Sequence, residues 1–300
     1  MNKPRGIART LALGVFRGVI ACAFCVSAIG QQNTLTHGLW VWKTASVLEA
    51  PQGAERLLHF CQSQGVNEAY VAFASHGDAS MESRLVRLIA LLHRSNIRVE
   101  ALLSSTDADE PGEHREKLLI HVQEFVQFNR THPTDRFDGI HLDIEPQQRP
   151  EIKGPGNLSF LPNLVDAYRA VRAEAEPARL MVNADIQNKL LKGDAAQRRM
   201  LLSSLPRFTL MLYELSSPND GDTVERKAEK LRTASQKFLT MAYDGLNDPQ
   251  LAKMVIALRT PDYNGLLPQM LKVLDDANHP SPHYQGWARH SYNDTLDRAQ

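Results

Sequence analysis

The strongest constraint on what this chain folds into is a rhythm. From residue 38 onward, short apolar runs alternate with longer segments whose apolar residues recur at helical spacing. Strand candidates cover residues 38–43 (GLWVWK), 68–73 (EAYVAF), 98–103, 137–146 (FDGIHLDIEP), 180–186 (LMVNADI), 208–213 (FTLMLY), 254–258 and 284–290. Helix candidates fall between them at 54–64, 81–94, 113–129, 163–174, 199–205 and 266–276. A long helix at 223–243 completes the set, because Val224, Ala228, Leu231, Ala234 and Phe238 share one face; a strand at 238–244 (FLTMAYD) is the competing reading. Eight strand–helix units in about 260 residues is the arithmetic of a single α/β domain, a (β/α)8 TIM barrel, expected over residues 35–300. The rival is a doubly wound open sheet, and no glycine-rich phosphate loop follows the first strand to support it.

The first thirty residues stand outside the rhythm. They hold no acid, carry Lys3, Arg5, Arg9 and Arg17, run apolar through residues 18–29 and end on Ala28-Ile29-Gly30. The apolar run is too short to cross a bilayer comfortably. This is the pattern of a secretory signal peptide over residues 1–30, so the protein is expected to be secreted or periplasmic without a stable membrane span. An uncleaved anchor and a lipoprotein signal ending at Cys22 are the alternatives. Cleavage would leave the balanced chain four units acidic and Cys61 as its only cysteine, so no internal disulfide is expected. Cys61 lies on an apolar helix face and reads as a buried, inert thiol. The balanced charge argues against a nucleic-acid partner.

The chemistry concentrates in residues 137–146. Ile140, Leu142 and Ile144 alternate with His141, Asp143 and Glu145, so one strand face is aliphatic and the other carries a histidine and two carboxylates. Acids on a buried strand are costly unless paired, hydrogen-bonded or used. In a barrel, residues of one parity point inward, which sets Glu145 at the C-terminal mouth, Asp143 one pleat below and Asp138 on the outside as support. Two carboxyls so close do not both ionise easily, and a carboxyl kept protonated suits a general acid at a glycosidic oxygen. The bland rival is a pair of acids neutralised within a structural network. The proline- and glycine-rich stretch 146–162 directly follows Glu145 and is expected to rise beside it as a long loop.

Asp138-Gly139-Ile140-His141-Leu142-Asp143-Ile144-Glu145 resembles the fourth-strand signature Asp-x-x-Asp-x-Asp-x-Glu of chitinase-like family-18 glycoside hydrolases, with His141 in place of the second acid. Met211-Leu212-Tyr213 matches that family's Met-x-Tyr on the sixth strand. The resemblance implies that Glu145 is the general acid, and that Asp143 and Tyr213 hold a substrate N-acetyl group whose carbonyl acts as nucleophile in a retaining mechanism. In that family the inner acid relays charge to the acid above it. His141 would instead hydrogen-bond Asp143, or mark a branch with different chemistry.

Other strand ends supply further candidates. Asn183 and Asp185 share parity on the fifth strand, with Asp185 a substrate contact or second acid. Glu214 is another second carboxylate, of opposite parity to Tyr213. Trp40, Trp42 and Trp287 are candidate sugar-stacking faces, with core packing as the alternative, and Arg259 and His290 close the last two strands. The acids Asp107, Asp109, Glu110 and Glu113 read as a solvated loop rather than a calcium site. No metal-binding motif, serine elbow or phosphate loop occurs, so neither a metal nor a cofactor is expected. The expected partner is a carbohydrate. The competing readings are a non-catalytic carbohydrate-binding barrel and a periplasmic accessory of polysaccharide export.

Overall fold

A computed structural model describes residues 35–73, 77–152, 156–213, 221–263 and 265–296. The eight strands are β1 (Thr36–Val41), β2 (Glu68–Ala72), β3 (Arg98–Ser105), β4 (Gly139–Ile144), β5 (Met181–Gln187), β6 (Arg207–Met211), β7 (Lys253–Arg259) and β8 (Tyr284–His290). Each pairs in parallel with its sequence neighbours, and β8 returns to β1, closing the barrel in simple order. The main outer helices are α1 (Thr44–Glu49), α2 (Gly53–Gln64), α3 (Ala79–His93), α4 (Glu113–Thr131), α5 (Leu161–Ala175), α6 (Ala195–Leu202), α7 (Val224–Tyr243), α8 (Thr260–Tyr263) and α9 (Leu267–Asn278).

The barrel wall separates two apolar regions. Outward residues such as Ile140, Leu142 and Ile144 of β4 join Leu85, Leu88, Ile89 and Leu92 of α3 in the layer between strands and helices. A smaller cluster of Trp40, Tyr70, Leu102, Val255, Ala257 and Ala288 fills the inside. Every residue of β4 is buried, so its polar face is enclosed rather than solvated. That is the condition under which each polar side chain needs a partner.

The segment 238–244 is helical up to Tyr243, not a strand. Leu231, Ser235, Leu239 and Ala242 continue one buried stripe along α7, and the Thr223 hydroxyl accepts the backbone N–H of Arg226 to cap its start. The stretch after β4 holds two short 3-10 turns, Pro146–Gln148 and Pro150–Ile152, before α5 begins at Leu161. β1 ends at Val41, so Trp42 lies just beyond the strand, on the mouth side. Residues 1–30, the expected signal peptide, lie outside the described residues, as does Glu214.

Candidate active site

The site is built on a column of ionic side chains that rises through the barrel. At its base the Arg207 guanidinium of β6 pairs with Glu68 of β2 and, at 2.9 Å, with Glu100 of β3. It also donates to the Thr36 hydroxyl at 3.0 Å. Arg98 reaches Glu68 and Glu100 from a more exposed position, at 3.4 and 3.3 Å. Asn183 of β5 donates to Glu100 Oε1 at 2.7 Å. Burial alone would raise the Glu100 carboxyl, but the Arg207 charge, aided by His141 and Arg98, outweighs it and brings the group down to about 2.

His141 is the next step up. Its ring is fully buried, with Nδ1 3.2 Å from Glu100 Oε2 and Nε2 2.8 Å from Asp185 Oδ1. A ring flanked by carboxylates on both nitrogens is satisfied only when both carry hydrogen, because a neutral imidazole has one donor. Burial opposes that charge. The carboxylates of Asp185 and Glu100 prevail and push the ring up to about 9. Tyr70 stacks on the ring at 3.7 Å, and Trp40 meets it edge-on at 5.8 Å. Gly38 is required here, since a Cβ at that position would collide with the Tyr70 hydroxyl. Asp185 is closed on its other side by Trp40 Nε1, which donates to Oδ2 at 3.1 Å.

Above this column lies Asp143. The Ser104 hydroxyl is 3.5 Å from its Oδ2, and its Oδ1 is buried without a partner. Burial, then the charges of Asp185 and Glu145, push the Asp143 carboxyl well above the usual range, against smaller opposing effects of His141 and Ser104. Asp143 is therefore the acid of the group whose proton is held most tightly relative to an ordinary carboxyl.

Glu145 follows at the mouth. Its backbone N–H donates to the Ser105 carbonyl at 2.9 Å, extending the β3–β4 ladder by one bond. Three glutamine amides donate to its half-buried carboxylate: Gln147 at 2.9 Å, Gln148 at 2.6 Å and Gln187 at 2.7 Å. None of these partners is an arginine, so its charge is solvated by neutral dipoles rather than cancelled. The loop that carries two of these glutamines is tied down by Arg149, which pairs with buried Asp109 at 3.0 Å, with Glu110, and with Glu151 at 3.4 Å. The acidic segment after β3 is thus partly a clasp and not simply a solvated loop. Asp107 in the same segment pairs with His114 at 3.0 Å.

Across the mouth, the Tyr213 hydroxyl is buried without a partner, and burial with the charges of Asp185, Asp143 and Glu145 pushes it well up. Its ring is 5.6 Å from that of His290. Trp42 Nε1 donates to His290 Nε2 at 3.0 Å, and burial lowers the pKa of that histidine. Arg259 donates twice to Asp262 Oδ1, at 3.0 and 2.7 Å, with its guanidinium carbon 6.0 Å from the Tyr213 ring. Met211 is buried one pleat below Tyr213.

Tyr213 feels the charges of Asp185, Asp143 and Glu145 and so shares their end of the barrel, but several sequence candidates sit elsewhere. Trp287 faces outward, stacked on His37 at 4.2 Å and donating to Asp275 of α9, so it presents no face to the mouth. Trp40 is 1% exposed and committed to Asp185, which makes it floor rather than platform. Asn183 and Asp185 are sealed in the interior, with Asp185 held on both oxygens, and so do not reach a substrate directly. His141 bonds Glu100 and Asp185, not Asp143, because its ring points across the barrel rather than up the strand. Asp138 lies outside the barrel, accepting the Val99 N–H at 2.7 Å and pairing with His93 at 3.0 Å. Sequence reasoning passed over Glu68, Glu100, Arg207, Ser104 and Gln187. Inward parity applied to EAYVAF and RVEALL would have flagged the two glutamates. Among the described residues no group of three or more metal-ligating side chains gathers, and no helix is long and apolar enough to cross a membrane. Cys61 is buried and its thiol is pushed up to about 12 by that burial.

Neither a protein-family model nor a curated protein sequence matches the chain. Solved structures do. The glycoside hydrolase domain of PgaB (BpsB) from Bordetella bronchiseptica superposes with a TM-score of 0.52 at 11% identity, over 88% of this chain and 96% of that one. A GH18 chitinase from Pseudoalteromonas aurantia gives 0.52 at 10% identity, over 87% and 96%. The spore cortex-lytic enzyme SleL of Bacillus megaterium gives 0.51 at 10%, over 86% and 70%. The barrel is thus of the kind found in chitinase-like and related glycoside hydrolases.

Proposed function

We propose that the chain is an exported glycoside hydrolase that acts on a polysaccharide or glycan, with Glu145 as general acid/base. The observation that carries this reading is the arrangement at the mouth. A half-buried, arginine-free carboxylate stands above an acid whose carboxyl is pushed upward by burial and by neighbouring charge, a tyrosine hydroxyl feels both, and the acid and the hydroxyl each have a buried polar atom without a partner. Unpaired buried polar atoms cost about 1–3 kcal/mol each, and a bound ligand is one way to recover that cost.

A 2-acetamido sugar fits the three groups. Protonated Glu145 gives its proton to the glycosidic oxygen as the C1–O bond breaks. The acetamido carbonyl oxygen attacks C1 and closes a cyclic oxazolinium ion, positioned by the Tyr213 hydroxyl on that oxygen and Asp143 on the amide N–H. A water then attacks C1 as the C1–O bond of the oxazolinium ring breaks and the acetamido group is regenerated, the water's proton passes to the Glu145 carboxylate, and the product keeps its anomeric configuration. Asp185 does not compete as a nucleophile because both its oxygens are occupied in the interior.

One observation favours a second reading, a carbohydrate-binding barrel without catalysis. Three glutamine amides already donate to the Glu145 carboxylate and tie it into a hydrogen-bond network, as in a site that holds a sugar rather than one that hands a proton to it. A screen of purified protein and Glu145→Gln against a glycan panel, including N-acetylated amino-sugar polymers, separates the two. Cleavage by the native chain and not by the variant supports the enzyme. Binding by both with cleavage by neither establishes the binding module. Export is read from residues 1–30: the mass of the chain recovered outside the cytoplasm is expected to start at Gln31, and retention of the full leader refutes cleavage.

A further inference from the structure

The column beneath the mouth holds a charge that the proposed chemistry does not itself need. We propose that His141 and Asp185 form a permanent buried ion pair that positions and loads the site: His141, protonated between Glu100 and Asp185, holds Asp185 as an anion beneath Asp143, and that anion keeps one proton on the Asp143–Glu145 pair. This rests on the hydrolase reading for its purpose but not for its evidence. His141 and Asp185 are positioning residues, since neither touches the mouth.

The geometry has three parts. His141 is 0% exposed with a carboxylate oxygen on each ring nitrogen, at 3.2 and 2.8 Å. Asp185 has both oxygens engaged, by His141 at 2.8 Å and by the donor Trp40 Nε1 at 3.1 Å, a pairing that suits the carboxylate form beside a doubly protonated ring. Glu100 is held in turn by Arg207 at 2.9 Å and Asn183 at 2.7 Å, so it cannot swing away from the ring. The groups around the pair include His290, which feels Asp185 and lies 5.7 Å from the Trp40 ring, with Arg259 beyond it acting on His290 and Tyr213. Tyr70 of β2 and Trp40 of β1 cover the His141 ring, Glu100 lies on β3 and Arg207 on β6. Asp143 faces Ser104 of β3 and feels Asp185 of β5, Glu145 and His141. Tyr213 past β6 and Tyr168 of α5 feel both Asp143 and Asp185 and contribute no cation. Among the charges that oppose proton loss from Asp143, that of Asp185 acts more strongly than that of Glu145, and the ion pair with His141 keeps it fixed. A like charge close to a carboxyl disfavours its ionisation and raises it.

In this chain a histidine and an acid on the adjacent strand supply the charge beneath Asp143. A neutral residue at 141 would leave Glu100 and Asp185 as two buried acids without a cation between them. One would then protonate, and the field under Asp143 would weaken.

The test reads protonation directly and needs no substrate. In 15N-labelled full-length protein, through-bond spectra assign the His141 ring nitrogens without any variant. Both are expected to carry hydrogen at pH 7.5, with loss of one only near pH 9. A neutral ring at pH 7.5 overturns the proposal. In 13C carboxyl titrations, Asp185→Asn is expected to lower the midpoint at which the Asp143–Glu145 pair loses its last proton by at least about one pH unit. An unchanged midpoint in a folded variant overturns it too; if that variant does not fold, the ring-nitrogen result decides alone. Failure of the hydrolase reading looks different: no glycan is cleaved, while both spectroscopic results hold. Where cleavage is found, the alkaline limb of the kcat/KM profile should move down in Asp185→Asn by the same shift, with KM little changed.

Discussion

At Glu145 the side-chain chemistry and the backbone route are inseparable. The carboxylate is the last member of the inward row that starts at His141, and its backbone N–H continues the ladder to the Ser105 carbonyl. Its position is therefore set by a strand rather than by a loop. Glu145→Gln keeps the volume but offers one oxygen to three glutamine donors, and it has no proton to give. On the substrate that the panel identifies, kcat is expected to fall by about 10²–10⁴ with KM moved far less, as steady-state kinetics will report. His141 is the opposite case, a residue whose loss is felt as instability. His141→Leu removes the cation between two buried carboxylates and should cost on the order of 3–5 kcal/mol, measured by urea denaturation at pH 7. Both residues were legible as inward-facing from their parity alone. The partners of His141 were not, because parity fixes the side of a strand and leaves open which neighbour across the barrel a ring will meet.

The β4–α5 connection shows how an element is shaped by a contact far away in sequence. Residues 146–162 read as a long loop from their prolines and glycines, and the structure gives them short 3-10 turns that place Gln147 and Gln148 on Glu145. The turns are held by Arg149 against Asp109 and Glu110, about a dozen residues before the midpoint of α4 and separated from Arg149 by 40 and 39 positions. Nothing in the acidic run 107–113 announces that partner, which is why it reads as solvated surface. Arg149→Ala leaves Asp109 buried and unpaired, and burial already pulls that carboxyl toward its neutral form. The variant should lose about 1–3 kcal/mol. Hydrogen exchange should accelerate first in residues 146–152, while β4 itself keeps its protection; uniform loss across the barrel would contradict a local clasp. The strands and helices, by contrast, follow from period alone. The long α7 was resolved correctly over its rival strand because its apolar stripe persists at helical spacing to Ala242.

For the molecule as a whole, the buried column gives folding a definite dependence on pH. His141 has its folded pKa raised from 6.5 to about 9, so its contribution is complete below about pH 6.5 and is lost as pH rises through 9. Asp143 is also raised, so the native state binds its proton more tightly than the unfolded chain does, and that advantage likewise disappears as pH rises. Glu100 runs the other way. Lowered from 4.5 to about 2, it contributes above pH 4.5 and is lost as pH falls toward 2. The three together place the stability maximum near pH 4 to 4.5, where Glu100 is fully ionised and Asp143 has only begun to lose its advantage above its unfolded 3.8. Urea midpoints taken at half-unit steps from pH 3 to 9.5 should trace a rise to about pH 4.5, a decline above it and a steeper decline once His141 begins to lose its proton above about pH 6.5. His141→Gln should flatten the alkaline decline and leave the acid limb in place, since Arg207 still holds Glu100. An alkaline limb of the same steepness in that variant would move the titrating group elsewhere. A maximum above pH 8 in the native chain would mean that His141 is neutral in the folded barrel, and the column would then carry one positive charge, on Arg207, among three carboxylates.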